Sequence, residues 1–305
     1  MTIERNIFAI VVTYNGMQWI ERCLKSLETS TVAVKTIVVD NGSTDDTLAY
    51  IHSHYPATIV LPQKENLGFG QGNNAGMAYA MAHQASHVLL LNQDAWIAPD
   101  MLEQLLPYDD GNSLLSPIHL NGEGDALDKN FKHNALLRSY ALQQLIDDWA
   151  TGHTTRYATY EINAACWLLP RTLLKEIGGF NPMFFHYAED VNYLDRLHYH
   201  QKGVYFIPNA KVYHDRANVK EKPLNKQYMY QQLLLRQLNI NYSLFFAKLQ
   251  IWRFAVGMIH TAFSKRKLSY IRLLWQARIQ LNKATTETKT NRLMQQTFGA
   301  HWINK

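Results

Sequence analysis

Residues 8–16 read FAIVVTYNG and residues 35–47 read KTIVVDNGSTDDT. Each stretch opens with a continuous apolar or β-branched run of strand length and then stops in polar residues and glycine, as a buried strand does at a turn. A helix is predicted after each strand, because apolar residues recur at helical spacing over residues 19–27 and Ser43 or Thr44 is placed to cap the second helix. Strands that alternate with helices in this way indicate an α/β fold with a parallel sheet.

Two further units continue this alternation. Residues 57–61 predict a third strand, and a loop rich in glycine and asparagine over residues 66–74 leads into a helix over residues 75–84. Residues 87–91 predict a fourth strand, which ends at Asn92. In an open parallel sheet the ligand site lies outside the carboxyl ends of the strands. Three side chains that directly follow strands are therefore expected in one crevice, and they are Tyr14, Asp40 and Asp94.

The length and charge of the chain divide it into two parts. A chain of 305 residues, 47% of them apolar, is sufficient for one large α/β domain with an appendage. Residues 226–305 carry 13 Lys and Arg but one acidic residue, Glu287, which gives a net charge of +12 against −7 for residues 1–225. The two parts are expected to face different partners, because a basic surface attracts anionic lipid or nucleic acid.

Two features of the sequence favour a cytoplasmic protein. The two cysteines, Cys23 and Cys166, lie in apolar segments without metal-ligand spacing, which is typical of buried thiols in a reducing compartment. Residues 1–6 lead directly into a strand and contain no small-residue cleavage site of a signal peptide. We expect the protein in the cytoplasm, where the inner face of the cytoplasmic membrane is accessible to it.

Asp94 is the first candidate for chemistry. A carboxylate at the end of a buried strand is placed to hold Mg²⁺ or Mn²⁺ against a diphosphate, because these cations prefer oxygen ligands and usually take one or two from protein. The alternative is that Asp94 caps a helix that begins near Pro99 or Asp100. The residues alone favour neither interpretation.

Asp40 and the glycine-rich loop also have two interpretations each. Asp40 could accept a hydrogen bond from the imide N–H of uracil or thymine, or serve only the tight turn in which it lies. The glycines of the loop would let the backbone approach a ligand at a helix N-terminus. Their spacing does not give the dinucleotide fingerprint G-x-G-x-x-G. These glycines are Gly68, Gly70, Gly72 and Gly76.

The second half of the chain contains a pair of acids in apolar surroundings, Glu189 and Asp190. Such a carboxyl group has a raised pKa, as a general base needs, although the helix dipole also favours acids at a helix N-terminus. His214 could bind a metal or a phosphate, but most of the 13 histidines must be uninvolved.

Residues 105–160 give no clear assignment of secondary structure. The predicted elements beyond them are a strand at 164–169, helices at 171–177 and from 189 to about 200, and short strands at 204–207 and 211–214.

Taken in order, these motifs resemble the family 2 glycosyltransferases of GT-A fold, especially their rhamnosyltransferase-like bacterial branch. The resemblance covers about residues 6–218 and rests on six segments: VVTYNG, VVDNGSTDDT, the loop at 66–74, LLNQDAWI, GGFNPMFFHYAEDVNYLDRL and YHDRA. It implies the nucleotide-diphospho-sugar transferase fold, with a mainly parallel α/β sheet flanked by helices. Residues 1–225 would form the catalytic domain, with a donor-binding half at 1–100 and an acceptor and catalytic half at 160–218, and residues 226–305 would be a basic, aromatic helical extension.

The resemblance also implies a role for each motif residue. Asp190 would be the catalytic base, and Asp94 with His214 would bind a divalent cation, Mg²⁺ or Mn²⁺. Trp167 and Glu189 are expected on the acceptor side. The residues expected to bind the donor are Thr13, Tyr14, Asn15, Asp40, Asn66, Gly68, Asn92 and Gln93.

Two positions depart from the family pattern. Asn92 stands where the metal-binding D-x-D motif has its first acid, so that a metal would rest on Asp94, His214 and phosphate oxygens. Asn192 stands where family members often have an acid after Glu-Asp-Val. The first departure affects metal affinity more than it affects the fold.

The implied reaction moves a sugar from a dTDP- or UDP-linked donor, with dTDP-rhamnose as one candidate, to a hydroxyl group of a polysaccharide or polyprenyl-linked glycan. It is a single displacement with inversion at the anomeric carbon and needs no covalent enzyme intermediate. Asp190 would take the proton of the acceptor hydroxyl, while the metal and His214 neutralise charge on the departing diphosphate.

The extension interleaves aromatic residues with cations. Residues 244–263 are long enough to span a bilayer, but Lys248 and Arg253 near their middle make spanning costly. Helices lying in the membrane interface suit this composition and a polyprenyl-linked acceptor. A helical cover over residues 1–225, here called the body, would use the same apolar stripe, and so would a homodimer interface.

Two other functions are compatible with parts of the sequence. A nucleotidyltransferase shares the sheet topology and the diphosphate chemistry, but it leaves Glu189 and Asp190 unexplained. A nucleic-acid-binding protein would use the basic extension, and salt-sensitive binding of the extension to duplex DNA would favour it. We expect no nucleic-acid partner.

Overall fold

A computed structural model describes residues 5–136, 142–153, 155–215 and 224–303. The strands are β1 Ile7–Thr13, β2 Lys35–Asp40, β3 Ile59–Pro62, β4 His87–Asn92, β5 Ala95–Ile97, β6 Ser113–Asn121, β7 Tyr157–Ala158, β8 Cys166–Pro170 and β9 Gly203–His214. The helices are α1 Ile20–Glu28, α2 Thr47–His54, α3 Gly68–Ala82, α4 Met101–Leu105, α5 Lys129–Phe131, α6 Leu142–Thr151, α7 Arg171–Ile177, α8 Glu189–Tyr199, α9 Lys226–Leu238, α10 Leu244–Ser264, α11 Ser269–Lys283 and α12 Thr285–Gln295.

These strands form one mixed sheet in the order β3-β2-β1-β4-β8-β6-β9-β5, with β7 beside β9. The four predicted parallel strands, β1 to β4, are confirmed. Beyond β4 the sheet is not mainly parallel, because β8 pairs antiparallel with both β4 and β6, and β5 pairs antiparallel with β9. β5 follows β4 after two residues, which is too short for the crossover that a parallel neighbour requires.

The sheet has a hydrophobic core on each face, and β1 shows why. Its side chains alternate between the two faces, so that Phe8 and Ile10 pack on the side of α3 while Ile7, Ala9 and Val11 pack on the side of α1. All five are almost completely buried, and full burial of a large apolar side chain contributes about 1.5–3 kcal/mol. The core on the side of α1 holds Cys23 and Cys166 as buried free thiols, as predicted, and burial raises the pKa of both.

The glycine-rich segment is a helix in its greater part, and not the predicted loop. α3 begins at Gly68, and two of its glycines, Gly72 and Gly76, lie against β1. A Cβ atom would lie 2.8 Å from Val12 Cγ1 at Gly72, and 2.5 Å from Ile10 Cγ2 at Gly76. The glycines therefore allow the helix to approach β1 closely, and only Gly68, at the N-terminus of α3, reaches the cleft described below.

Two other boundaries differ from expectation. α2 begins at Thr47 without a side-chain cap, so neither Ser43 nor Thr44 caps it. The hydroxyl oxygen of Ser43 instead accepts from the backbone N–H of Asn15 at 2.9 Å. The short strands predicted at 204–207 and 211–214 are the two paired segments of one strand, β9, interrupted by a register shift opposite Pro117 and Ile118 of β6.

The C-terminal helices α9 to α12 pack on the body and are tied to it by the end of the chain. Phe184 and Ala188 of the body share a hydrophobic cluster with α9, α10 and α11. The backbone N–H of Gly179 donates to the carbonyl oxygen of His301 at 2.8 Å, and Ile303 is buried in the same core cluster as Phe180. Within the described ranges, no helix combines the length and the apolar character needed to cross a membrane.

Candidate functional site

A cleft of about 460 Å³ opens at the carboxyl ends of β1, β2 and β4. This is the edge at which a parallel sheet is expected to bind its ligand. Tyr14 and Asp94 line the cleft, as predicted, whereas Asp40 does not. The lining residues are Val12, Thr13, Tyr14, Trp19, Asn41, Asn66, Gly68, Phe69, Asn92, Gln93, Asp94, Phe185 and His186.

The loop after β1 is bonded to the segments that follow both neighbouring strands, β4 and β2. Gln93 Oε1 accepts hydrogen bonds from Thr13 Oγ1 at 2.7 Å and from the backbone N–H of Tyr14 at 3.1 Å. Asn15 adopts a left-handed backbone with φ of 49°, and its side-chain oxygen accepts from the N–H of Thr44 at 2.8 Å. Asn15 thus stabilises the loop and does not line the cleft, whereas the half-exposed Tyr14 does line it.

Asp40 is engaged in its own turn. It is 1% exposed, and its carboxylate accepts from the backbone N–H groups of Gly42 and Ser43, each at 3.1 Å. The neighbouring Asn41, which the sequence did not single out, lines the cleft instead. Its amide donates to the carbonyl oxygen of Gly68 at 3.1 Å, while its buried Oδ1 has no hydrogen-bond partner in the described part of the chain. Base contact by Asp40 stays a prediction.

The N-terminus of α3 joins the first half of the site to the second. Asn66 Oδ1 accepts from the N–H of Gly68 at 2.8 Å. Gly68 has φ of +77°, and a Cβ atom there would lie 1.8 Å from the carbonyl oxygen of Phe185. Only glycine fits this contact. Phe185 and His186, from the segment before α8, therefore form one wall of the cleft.

Asp94 and His214 are brought together by the antiparallel pairing of β5 with β9. Asp94 Oδ1 lies 3.2 Å from His214 Nε2, and the Nδ1 of this buried histidine lies 3.9 Å from Asp128 Oδ2. The helix-cap alternative for Asp94 is wrong, because α4 begins at Met101 and has no side-chain cap. Asp128 was missed in the sequence, since it lies in the segment that gave no clear assignment.

This arrangement offers a divalent cation two protein ligands, the carboxylate of Asp94 and the imidazole of His214. The described ranges contain no group of three or more His, Cys, Asp or Glu residues able to hold a metal. Asn92 lines the same cleft, and its buried Oδ1 has no hydrogen-bond partner among the described residues. The residues fit a cation that takes one or two ligands from protein and the remainder from phosphate and water.

The acid pair begins α8 directly after two strained residues. Tyr187 and Ala188 have φ of 70° and 71°, and a left-handed backbone at such residues costs about 1–3 kcal/mol each. Burial raises the pKa of Glu189, and the charge of Asp190 raises it further. Burial also raises the pKa of Asp190, with a contribution from the charge of Glu161. Asp190 Oδ1 accepts a hydrogen bond from the backbone N–H of Val191 at 2.9 Å.

The two acceptor-side residues predicted from the resemblance lie inside the protein. Glu189 is 5% exposed, and its Oε2 has no hydrogen-bond partner in the described ranges. Trp167 is completely buried in β8, where its ring lies 6.1 Å from that of Phe180 and 5.7 Å from that of Tyr193. The structure therefore places Trp167 behind α8, as part of its support, and not in the cleft wall.

α8 is anchored by buried polar contacts that the sequence did not reveal. The amide of Asn192 donates to Gln295 Oε1 at 2.8 Å, which explains why an amide suits the position where the family often has an acid. The guanidinium of Arg196 donates to the carbonyl oxygens of Ile177, at 2.7 Å, and Gly179. Burial lowers the pKa of Arg196 to about 10. The helix that carries Asp190 is thus held by both the body and the C-terminal helices.

Known proteins of one family are similar to this chain. The family model described as glycosyl transferase family 2 matches residues 8–177. The N-acetylglucosaminyl-diphospho-decaprenol L-rhamnosyltransferase of Mycobacterium tuberculosis is 28% identical over 232 residues, which cover 68% of this chain and 76% of that protein. The matched range of the family model contains β1, β2, β4 and α3, but it ends before α8 and His214.

Solved structures support the same fold. TarS 1–349 of S. aureus in complex with UDP-GlcNAc superposes with a TM-score of 0.58 at 18% identity, over 86% of this chain and 74% of that one. GalNAc-T7 with UDP, GalNAc and Mn²⁺ superposes with a TM-score of 0.54 at 15% identity, over 76% of this chain and 48% of that one. At these identities the likeness shows the fold alone, which is the predicted GT-A fold.

Proposed function

Because the chain belongs to glycosyl transferase family 2 and is a glycosyltransferase, we propose that it transfers a sugar with inversion from a nucleotide-diphosphate donor. The acceptor in this proposal is a hydroxyl group of a polysaccharide or lipid-linked glycan. The proposal rests on Asp94, which lines the cleft at the carboxyl edge of the sheet and lies 3.2 Å from the buried His214. The family assignment favours this reaction over the nucleotidyltransferase alternative.

The donor is proposed to be a dTDP- or UDP-sugar, with dTDP-rhamnose as one candidate. The half-exposed ring of Tyr14 offers a surface on which a flat base can stack, and the amides of Asn41 and Asn66 offer polar contacts beside it. Two comparisons support this choice. One relative is named an L-rhamnosyltransferase, and TarS was solved with UDP-GlcNAc.

The donor diphosphate is proposed to lie against Asp94 and His214, which would hold Mg²⁺ or Mn²⁺. When bound, the cation would neutralise charge on the departing nucleoside diphosphate. The presence of Mn²⁺ with UDP in GalNAc-T7 supports this assignment. Asp128 faces the other nitrogen of His214 and would keep the imidazole oriented toward Asp94.

Asp190 is proposed to take the proton from the acceptor hydroxyl. The hydroxyl oxygen then attacks the anomeric carbon, and the bond from that carbon to the diphosphate oxygen breaks on the opposite face of the sugar. One displacement inverts the anomeric centre. The raised pKa of Asp190 makes it a stronger base than an ordinary aspartate, which suits this step.

The proposal is tested by thermal shift with UDP-, dTDP- and GDP-sugars in the presence and absence of Mn²⁺, followed by an assay for release of the nucleoside diphosphate. We expect one donor class to stabilise the protein in a metal-dependent way. Asp94→Asn should abolish the metal dependence, whereas Asp147→Asn, at an exposed aspartate of α6, should retain it. Stabilisation by no nucleotide-sugar, or an unchanged metal dependence in Asp94→Asn, would overturn the proposal.

A further inference from the structure

Helix α10 exposes an apolar stripe that no described part of the chain covers. Phe245, Trp252, Val256, Ile259 and Phe263 follow one another at intervals of seven, four, three and four residues, which keeps them on one face of a helix. Phe245 is 73% exposed, Trp252 62% and Phe263 63%. Large apolar side chains that are so exposed and so ordered along one helix mark an interaction surface.

Helix α11 carries a second exposed apolar stripe. It packs against α10, and Leu268 at its N-terminus is exposed together with Trp275 and Ile279, with Trp275 66% exposed. The opposite sides of the two helices carry buried residues that join the cluster around α9, namely Ile251, Leu274, Ala277 and Leu281. The outward stripe of α10 and α11 is therefore separate from the contacts that dock the extension on the body.

Cations surround this stripe. On a helix with about 100° per residue, Lys248 and Arg253 fall on the two sides of the α10 stripe, and both are exposed. Lys265, Arg266 and Lys267 are exposed in the turn between the two helices, and Arg272 and Arg278 are exposed on α11. The one acidic residue of the extension, Glu287, lies on α12.

The combination of exposed aromatic residues with cations favours one of three partners: a second copy of the chain, a nucleic acid or a membrane. A second copy of the chain would bring two surfaces of the same positive charge together, which opposes association. Duplex nucleic acid would satisfy the cations but would leave the aromatic stripe in water or against phosphate. A bilayer with anionic headgroups satisfies both, because aromatic side chains enter the interface while Lys and Arg meet the headgroups.

We propose that the outward face of α10 and α11 docks the protein in the plane of an anionic membrane surface, without spanning it. The stripe enters the boundary between headgroups and acyl chains, and the flanking cations contact lipid phosphates. The inner side of the same helices packs near Phe184 and Ala188, just before Glu189 and Asp190. The proposal does not depend on the donor or on the reaction.

The test is sedimentation of the full-length protein with vesicles of phosphatidylcholine, alone or mixed with phosphatidylglycerol, in the absence of donor and metal. Partitioning onto the anionic vesicles should exceed that onto neutral vesicles by about tenfold or more and should fall as salt is added. Trp252→Glu combined with Trp275→Glu should reduce it by about tenfold or more, because both side chains would leave the interface. Ile146→Glu, at an exposed apolar residue of α6, is the matched control and should bind as the wild type does.

Further variants separate this proposal from others. Lys248→Gln combined with Arg253→Gln should lower the preference for anionic vesicles while the melting temperature is retained. Asp190→Asn should bind vesicles normally, so that loss of activity and loss of docking are distinguishable. No binding to anionic vesicles, an equal loss in Ile146→Glu, a dimer in solution that the tryptophan variant converts to monomer, or tighter binding to duplex DNA than to vesicles would each overturn the proposal.

Discussion

The two halves of the site are positioned by different means. In the proposed donor half, Tyr14, Asn41 and Asp94 each follow a strand, and the edge of the sheet brings them together. In the proposed catalytic half, Asp190 depends on α8, whose Asn192 is bonded to Gln295, 103 residues away in the sequence. The proposed donor site therefore depends on the sheet, whereas the position of the proposed base depends on long-range packing. The two are therefore expected to respond separately to substitution.

The largest effect that sharpens this comparison is expected from Asp190→Asn. Loss of the base should reduce turnover by about 10² or more, because general base catalysis typically contributes about 10²–10⁴. Steady-state kinetics with a saturating donor measures this effect. An Asp190→Asn enzyme with nearly normal turnover would remove Asp190 from the chemistry.

The close contact between α3 and β1 makes the stability of the sheet sensitive to substitution of Gly76. Gly76→Ala forces a Cβ atom to 2.5 Å from Ile10 Cγ2, and overpacking of this kind typically costs about 1–3 kcal/mol. Urea denaturation measures the loss in free energy of unfolding. Gly257→Ala in α10, where a Cβ would meet nothing within 4 Å, is the control and should gain about 0.5–1 kcal/mol. Equal effects at both positions would contradict the close packing of α3 on β1.

The acid pair should set the acidic limb of the pH profile. Because the pKa of Asp190 is raised, the fraction of ionised base falls at a pH above the ordinary aspartate value of about 3.9. Below that limb, kcat/KM should fall about tenfold per pH unit. A limb at the pKa of an ordinary aspartate would contradict the burial of this carboxyl.

The same shifts predict the sign of a stability change. Raised folded pKa values at Glu189 and Asp190 mean that protonation favours the folded state. Their contribution is complete below the unfolded pKa values and is lost as the pH rises through the folded ones. Asp190→Asn should reduce this pH dependence of the melting temperature.

A smaller effect on turnover is expected from loss of the hydrogen bond between α8 and Gln295 of the extension. Asn192→Ala leaves Gln295 Oε1 without its donor, and an unsatisfied buried group typically costs about 1–3 kcal/mol. Turnover should fall within about tenfold while donor affinity stays unchanged, since the donor cleft does not touch this contact. Kinetics and donor titration on one preparation measure both. A parallel loss of donor affinity would break the separation of the two halves.

The residues show why the sequence predicted one half of the molecule better than the other. The four parallel strands follow from local apolar runs, and Tyr14 and Asp94 follow from their position after those runs. The glycine segment was misassigned because glycines that serve helix-to-sheet packing look, in sequence, like those of a loop. The partners Asn192–Gln295 and His214–Asp128 lie far apart in the chain, and no local pattern relates them. Trp167 was expected in the acceptor site, but the register of β8 places its ring in the core.

The separation of donor binding from proton removal is tested most directly by calorimetric titration of the donor, with Mn²⁺ present, into the wild type, Asp94→Asn and Asp190→Asn. We expect donor affinity to be about tenfold or more weaker in Asp94→Asn, because one of the two proposed protein ligands to the cation is lost. In Asp190→Asn we expect an affinity within a few-fold of the wild type. Normal donor affinity in Asp94→Asn, or a comparable loss in Asp190→Asn, would contradict this separation.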